Sequence, residues 1–212
     1  MARCSIITKI FFSVVLMVVA DTNYRFVYVD IGSYGKDCDS TIFKRSTLWT
    51  SIQTNMLELP SERPLSGTEG PNVPYFFVGD EGFALNRNIL RPFGGSNLSF
   101  KKRVYNYRLC RARRYVECAF GILSNKWRIF QRPLNVSPDF AVDIVKACDV
   151  LHNFVRERDG YKSEDALTVT GLEDVPDGQS VRGGLTANNV RNKVADYFLT
   201  DAGAASWQMS KI

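Results

Sequence analysis

The sequence predicts a mixed α/β layer fold, and three observations predict it. Short apolar segments bounded by turn residues, Ile10–Ala20, Phe26–Val29 and Val73–Val78, read as strands. Two later stretches, one from about Lys101 to Trp127 and one opening at Ser137-Pro138-Asp139, carry apolar residues every three or four positions and read as long amphipathic helices. The resulting order is strand, turn, strand, helix, strand, then long helices, which builds layers of helix on sheet. The 212 residues, 45% hydrophobic and 23% charged, suffice for one ordinary packed domain and a modest remainder.

The first strand rests on Ile10-Phe11-Phe12-Ser13-Val14-Val15-Leu16-Met17-Val18-Val19-Ala20, whose paired valines suit a buried central strand. At 11 residues this run is too short to span a bilayer. Arg3 and Lys9 before it and Ala20 at its end also make residues 1–20 a candidate secretory signal peptide, with sequons at Asn97 and Asn135 in keeping. Asp21-Thr22-Asn23 supplies turn chemistry before the second strand, which Gly32 to Gly35 closes. Asp39 or Ser40 is placed to cap a short helix carrying Ile42 and Phe43, and Ser46 another carrying Leu48, Trp49, Ile52 and Met56. Prolines 60, 64 and 71 with Gly67 and Gly70 make residues 59–72 an exposed loop.

The third strand, Val73–Val78, stops at Gly79-Asp80-Glu81-Gly82. Tyr105, Leu109, Ala112, Val116, Ala119, Leu123 and Trp127 then mark one face of the first long helix. Residues 128–136 form a short strand or an extended connector. In the second long helix Ala141, Ile144, Val145, Cys148, Leu151 and Val155 share a face, Arg156 and Arg158 sit in the last turn, and Gly160 stops it. His152 on that helix reads as a packed histidine. Glu164–Asp177 holds five acids and no bases and reads as a flexible linker, and Asn188–Phe198 as a short docking helix.

Composition removes several function classes. The single His and the absence of closely spaced Cys pairs exclude multi-imidazole sites and argue against zinc fingers and Ser-His-Asp chemistry. The net charge of +5 is unevenly placed: nine basic residues and one acid, Glu117, lie between Lys101 and Arg128. Concentrated positive charge is the footprint of a phosphate-backbone binder, though a solvated helix face also produces it.

Three acids stand where structural roles are hard to find. Asp21 ends the first strand, Asp80 follows the third, and Glu117 sits beside the apolar stripe of the basic helix. Carboxylates at buried strand ends need a partner. Hard oxygen donors without His or Cys suit Mg²⁺ or Mn²⁺, and two such ions serve phosphodiester hydrolysis. Arg113 and Arg114, one turn before Glu117, are placed to hold a DNA backbone or to pair with that acid.

Ordered blocks of the sequence resemble the catalytic domain of Harbinger/PIF-type transposases and their nuclease-like relatives. They are Val19-Ala20-Asp21-Thr22-Asn23-Tyr24-Arg25-Phe26, Val29-Asp30-Ile31-Gly32, Asp39-Ser40-Thr41-Ile42-Phe43, Pro74-Tyr75-Phe76-Phe77-Val78-Gly79-Asp80-Glu81, and Tyr107 through Gly121 with Arg108, Arg111, Arg113, Arg114 and Glu117. The resemblance implies an RNase H-like mixed sheet flanked by helices, with Asp21, Asp80 and Glu117 as the catalytic acids of a DDE triad holding two Mg²⁺ or Mn²⁺ ions. Asp39 is treated as a cap or supporting residue. Arg108, Arg111, Arg113 and Arg114 become the DNA-binding set, DNA the substrate and the nucleus the compartment, with no membrane.

The same resemblance divides the chain into a divergent leader (1–11), the nuclease-like domain (12–160), an acidic linker (161–186) and a C-terminal helix and tail (187–212). Relatives carry an upstream DNA-binding region and often a proline within the stretch that here reads Gly32 to Asp37. The expectation is therefore an N-terminally truncated domain, with recognition supplied by a separate DNA-binding partner. Alternative outcomes are a domesticated non-catalytic nuclear scaffold, a decayed transposon remnant, or a secreted protein if residues 1–20 are removed.

Overall fold

A computed structural model of the chain describes residues 2–5, 13–34, 38–160 and 184–208. It is mixed α/β with small sheets. Strands β1 (Ala2–Ser5), β2 (Val14–Ala20) and β3 (Phe26–Tyr34) form one antiparallel sheet in that order. β2 is central, and Val15 through Val19 are all buried, so both of its faces are covered. That is why its sequence is continuously apolar rather than alternating. β1 was not expected; it pairs with β2, Ala2 opposite Val18.

Gly32 does not close the second strand, as expected, but sits inside it. Leu16 pairs with Ile31 and Val15 with Ser33, leaving Gly32 as an extra residue at φ 117°. This is a β-bulge at a backbone angle that favours glycine. Val27 is a second such residue, because Ala20 pairs with Phe26 and Val19 with Tyr28.

Cys38, rather than Asp39 or Ser40, is the N-cap residue of α1 (Asp39–Arg45). The Ser46 hydroxyl closes α1 by donating to the Phe43 carbonyl at 2.7 Å. α2 (Thr47–Gln53) is shorter than expected, and Met56 lies beyond it, exposed. The strand expected over Val73–Val78 shrinks to β4 (Phe77–Val78), parallel to β5 (Ile89–Leu90). Pro74 has no N–H to give a ladder, and Val73 instead makes an isolated bridge with Arg63. Parallel and antiparallel pairings thus fall in separate sheets, not one mixed sheet.

The long helices follow the sequence closely. α3 (Phe100–Lys126) buries Tyr105, Leu109, Val116, Ala119 and Leu123. Residues Arg128–Gln131 form a 3₁₀ turn, where a short strand or an extended connector was expected. α4 (Pro138–Asp159) starts with Ser137 accepting the Phe140 N–H and proline in the first turn, and ends at Gly160, φ 76°. α5 (Leu185–Tyr197) buries Ala187, Val190, Val194 and Ala195. Of the expected linker, residues 161–183 lie outside the described residues.

By contact the chain divides into two compact units, Met1–Ser46 with Arg113–Asp174, and Thr47–Ala112 with Val175–Ile212. In the first, Leu16, Val18 and Phe26 pack with Val116, Ala119 and Leu123 of α3 and Val145 and Cys148 of α4. In the second, Val73, Leu90, Phe93, Tyr105 and Leu109 pack with the buried face of α5. Among the described residues no helix is long and apolar enough to cross a membrane.

Candidate functional site

Asp21 organises the tight turn between β2 and β3. Its Oδ1 accepts the N–H groups of Asn23 at 2.8 Å and Arg25 at 2.9 Å. Its Oδ2 takes the Arg25 guanidinium, Nε at 3.0 Å and Nη2 at 2.9 Å. Tyr24, at φ 63°, completes the turn in the left-handed region. An aspartate closing a turn on its own backbone is ordinary Asx chemistry, and here the charge is answered as well.

Helix α4 fixes this turn from a distant part of the chain. The Asn153 side chain accepts the Phe26 N–H at 2.8 Å and donates to the Phe26 carbonyl at 2.7 Å. His152 Nε2 donates to the Tyr24 carbonyl at 2.7 Å, and its ring stacks on Phe26 with centroids 4.6 Å apart. Burial holds His152 below the usual histidine range, so it serves as a neutral, packed donor. Arg156 lies over the Tyr24 ring at 5.4 Å. The packed role expected for His152 is observed; the Asn153 clamp carried no local sequence signal, because its partner is backbone.

Glu117, in the same unit, pairs with Arg113 one helical turn earlier, Oε1 to Nη2 at 3.3 Å. Neither side chain is well exposed, at 20% and 11%. The Tyr24 ring lies 5.5 Å from that of Tyr115. The Tyr24 hydroxyl is pushed up by burial and by the neighbouring Cys118 and Tyr115. The turn carrying Asp21 therefore packs on the turn of α3 that carries Glu117.

Asp80 belongs to the second unit. It follows β4, accepts the Gly82 N–H on Oδ1 at 2.8 Å and the Phe83 N–H on its carbonyl at 3.3 Å. A side chain at Gly79 would press on the Phe83 ring at 3.1 Å. Arg91, 4% exposed, donates to the carbonyls of Glu81 and Phe83, and so anchors the loop after Asp80 from below. Burial lowers the Arg91 pKa. Sequence reading gave Arg91 no role.

The family described as DDE superfamily endonuclease matches residues 7–153. The chain belongs to that family. It is also 26% identical over 155 residues to a "Protein ALP1-like" of Arabidopsis thaliana, a match covering 73% of this chain and 38% of that protein. The chain thus spans well under half the length of this relative. No solved structure matches it.

DDE endonucleases generally use divalent cations. Asp21, Asp80 and Glu117 offer the hard oxygen donors that Mg²⁺ prefers, so the donor chemistry fits. Among the described residues, no group of three or more His, Cys, Asp or Glu side chains stands ready to hold a metal ion. Asp21 and Glu117 each carry an arginine, Arg25 on Asp21 Oδ2 and Arg113 on Glu117 Oε1. The four arginines differ as well. Arg111 and Arg114 are exposed, Arg113 is turned to Glu117, and Arg108 is bonded to Gly203 and Gln208.

A further acid stands apart from the expected set. Asp149 of α4 is 4% exposed, and both carboxylate oxygens are buried without a hydrogen-bond partner among the described residues. Burial pushes its carboxyl up to about 7.

Proposed function

We propose that this chain is the nuclease-like part of a transposase-derived DDE endonuclease of RNase H-like arrangement that acts on DNA phosphodiesters in the nucleus. Asp21, Asp80 and Glu117 are the acids that would hold Mg²⁺ or Mn²⁺, two ions in the full centre. The bound ions supply activation of water and stabilisation of the leaving oxygen. The chain's own part is to fix the acids: α4 holds the Asp21 turn through His152 and Asn153, and Arg91 holds the loop after Asp80. Arg111 and Arg114, both exposed, supply contacts to the DNA backbone.

One observation carries this reading beyond family membership: the turn bearing Asp21 is seated on the turn of α3 bearing Glu117. A second reading, a non-catalytic module, is favoured by the closure of Asp21 on its own turn and Arg25. Melting of the purified chain with and without Mn²⁺, beside Asp80→Asn, Asp21→Asn and Glu117→Gln, separates them. The nuclease reading expects a Mn²⁺-dependent rise in Tm lost in all three variants. A rise that survives Asp21→Asn removes Asp21 from the ligand set, and no rise in the folded parent supports the module.

A further inference from the structure

The segment after α5 returns onto the basic helix and engages two arginines that the family resemblance assigns to DNA. Arg108 Nη1 donates to the Gly203 carbonyl at 3.1 Å and to Gln208 Oε1 at 3.0 Å. Its guanidinium also lies over the Phe198 ring at 4.4 Å. One turn on, the Arg111 guanidinium lies 4.0 Å from the centre of the Trp207 ring, whose edge meets Tyr107 at 5.8 Å. Tyr107, Arg108 and Arg111 share one face of α3 at helical spacing, and one short segment touches all three, though Arg111 stays exposed.

The segment is built to lie there. Gln208, 1% exposed, donates Nε2 to the Phe198 carbonyl at 2.8 Å while its Oε1 accepts Arg108 and the Ala205 N–H. A side chain at Gly203 would clash with the Tyr197 backbone carbonyl, so only glycine allows the chain to turn back so closely. A carbonyl, an amide oxygen and an aromatic face are what the two guanidiniums hold here; phosphate oxygens are the stronger acceptors they would otherwise bind.

We propose that residues 203–208 are an internal strap that competes with a polyanionic nucleic acid backbone for Arg108 and Arg111. The strap rests on the DNA-binding reading above and adds its regulation: strap on, Arg108 is hydrogen-bonded and one face of the exposed Arg111 guanidinium is stacked; strap off, both are open to phosphate.

The test uses the full chain and its Trp207→Ala and Trp207→Leu variants, the leucine keeping an apolar side chain against Tyr107. Binding of a labelled DNA duplex of about 20 base pairs is followed across salt concentration. The variants are expected to bind roughly threefold to tenfold more tightly, with a log–log salt slope steeper by about one to two, and Arg108→Ala should cancel part of the gain. Equal or weaker binding by folded variants overturns the strap while leaving DNA binding intact. If neither parent nor variants bind the duplex, the DNA reading fails. The strap is then judged by phenylglyoxal modification mapped by mass spectrometry: Arg111 must react severalfold faster in the variants, and an unchanged rate overturns it.

Discussion

Asn153 is the residue on which the position of the Asp21 turn most directly depends. Its amide makes a matched pair of hydrogen bonds with the backbone of Phe26, accepting the N–H at 2.8 Å and donating to the carbonyl at 2.7 Å. Asn153→Ala removes both and leaves a buried strand edge with two unanswered groups, Phe26 itself being 5% exposed. Two bonds at about 0.5–1.5 kcal/mol each, with some penalty for the orphaned backbone, give a loss of about 2–3 kcal/mol. For a chain of this size that corresponds to a fall in Tm of roughly 4–12 °C. Urea unfolding followed by far-UV circular dichroism measures it. Asn153→Asp is an internal control: ionised, it sets an acceptor against the Phe26 carbonyl, and protonated it regains a donor. Its deficit should therefore shrink as pH falls toward 4. A loss under about 0.5 kcal/mol for Asn153→Ala would show that α4 and β3 stay docked by apolar packing alone, and would refute the clamp.

Three further outcomes follow from the same geometry. Asp21→Asn keeps the acceptor for the Asn23 and Arg25 N–H groups and should cost under about 1 kcal/mol, whereas Asp21→Ala loses the turn and should cost about 1–3 kcal/mol by denaturant titration. Asp149 is protonated in the folded chain at pH values where it ionises in the unfolded one. Its contribution is therefore complete below about pH 4 and is lost as pH rises through about 7. Asp149→Asn should flatten this dependence, its stability relative to the parent improving by on the order of 2–4 kcal/mol between pH 4 and 8 in pH-resolved melts. Gly203→Ala should loosen the C-terminal segment, since its Cβ meets the Tyr197 carbonyl, and limited proteolysis should then cut after α5 severalfold faster than in the parent.

The elements legible in the sequence are those whose signals are local and repeated. α3 and α4 announce themselves through many turns of periodic apolar residues, and α4 adds Ser137, Pro138 and Gly160 at its ends, all found in those roles. The strands are less legible because pairing is decided elsewhere in the chain. Gly32 looks like a terminator in isolation, and only the register with β2 shows it to be a bulge. Val73 to Val78 has the composition of a strand, yet Pro74 interrupts the donors and only Phe77 and Val78 find a partner in β5. β1 carries no pattern that distinguishes it from a loop, and its pairing with β2 is what makes it a strand.

The site shows the same division between charge, which a sequence displays, and the partner of that charge, which it does not. The positions of the three acids on their elements were readable: Asp21 follows β2, Asp80 follows β4 and Glu117 lies on α3. That Asp21 also closes its turn on Arg25 was hidden, because Asp21-Thr22-Asn23 signals a turn without revealing which lone pairs the turn consumes. Arg108, Arg111, Arg113 and Arg114 count equally toward a basic segment, but a helix distributes four neighbouring residues over its circumference. One lands under the C-terminal segment, one is exposed but stacked on Trp207, one lies against Glu117 and one is in solvent. A guanidinium stacked on an aromatic ring keeps its charge yet gives up much of its freedom to meet phosphate. The basic segment therefore overstates the available binding surface. What engages Arg111 is Trp207, a residue nearly a hundred positions away that carries no charge at all.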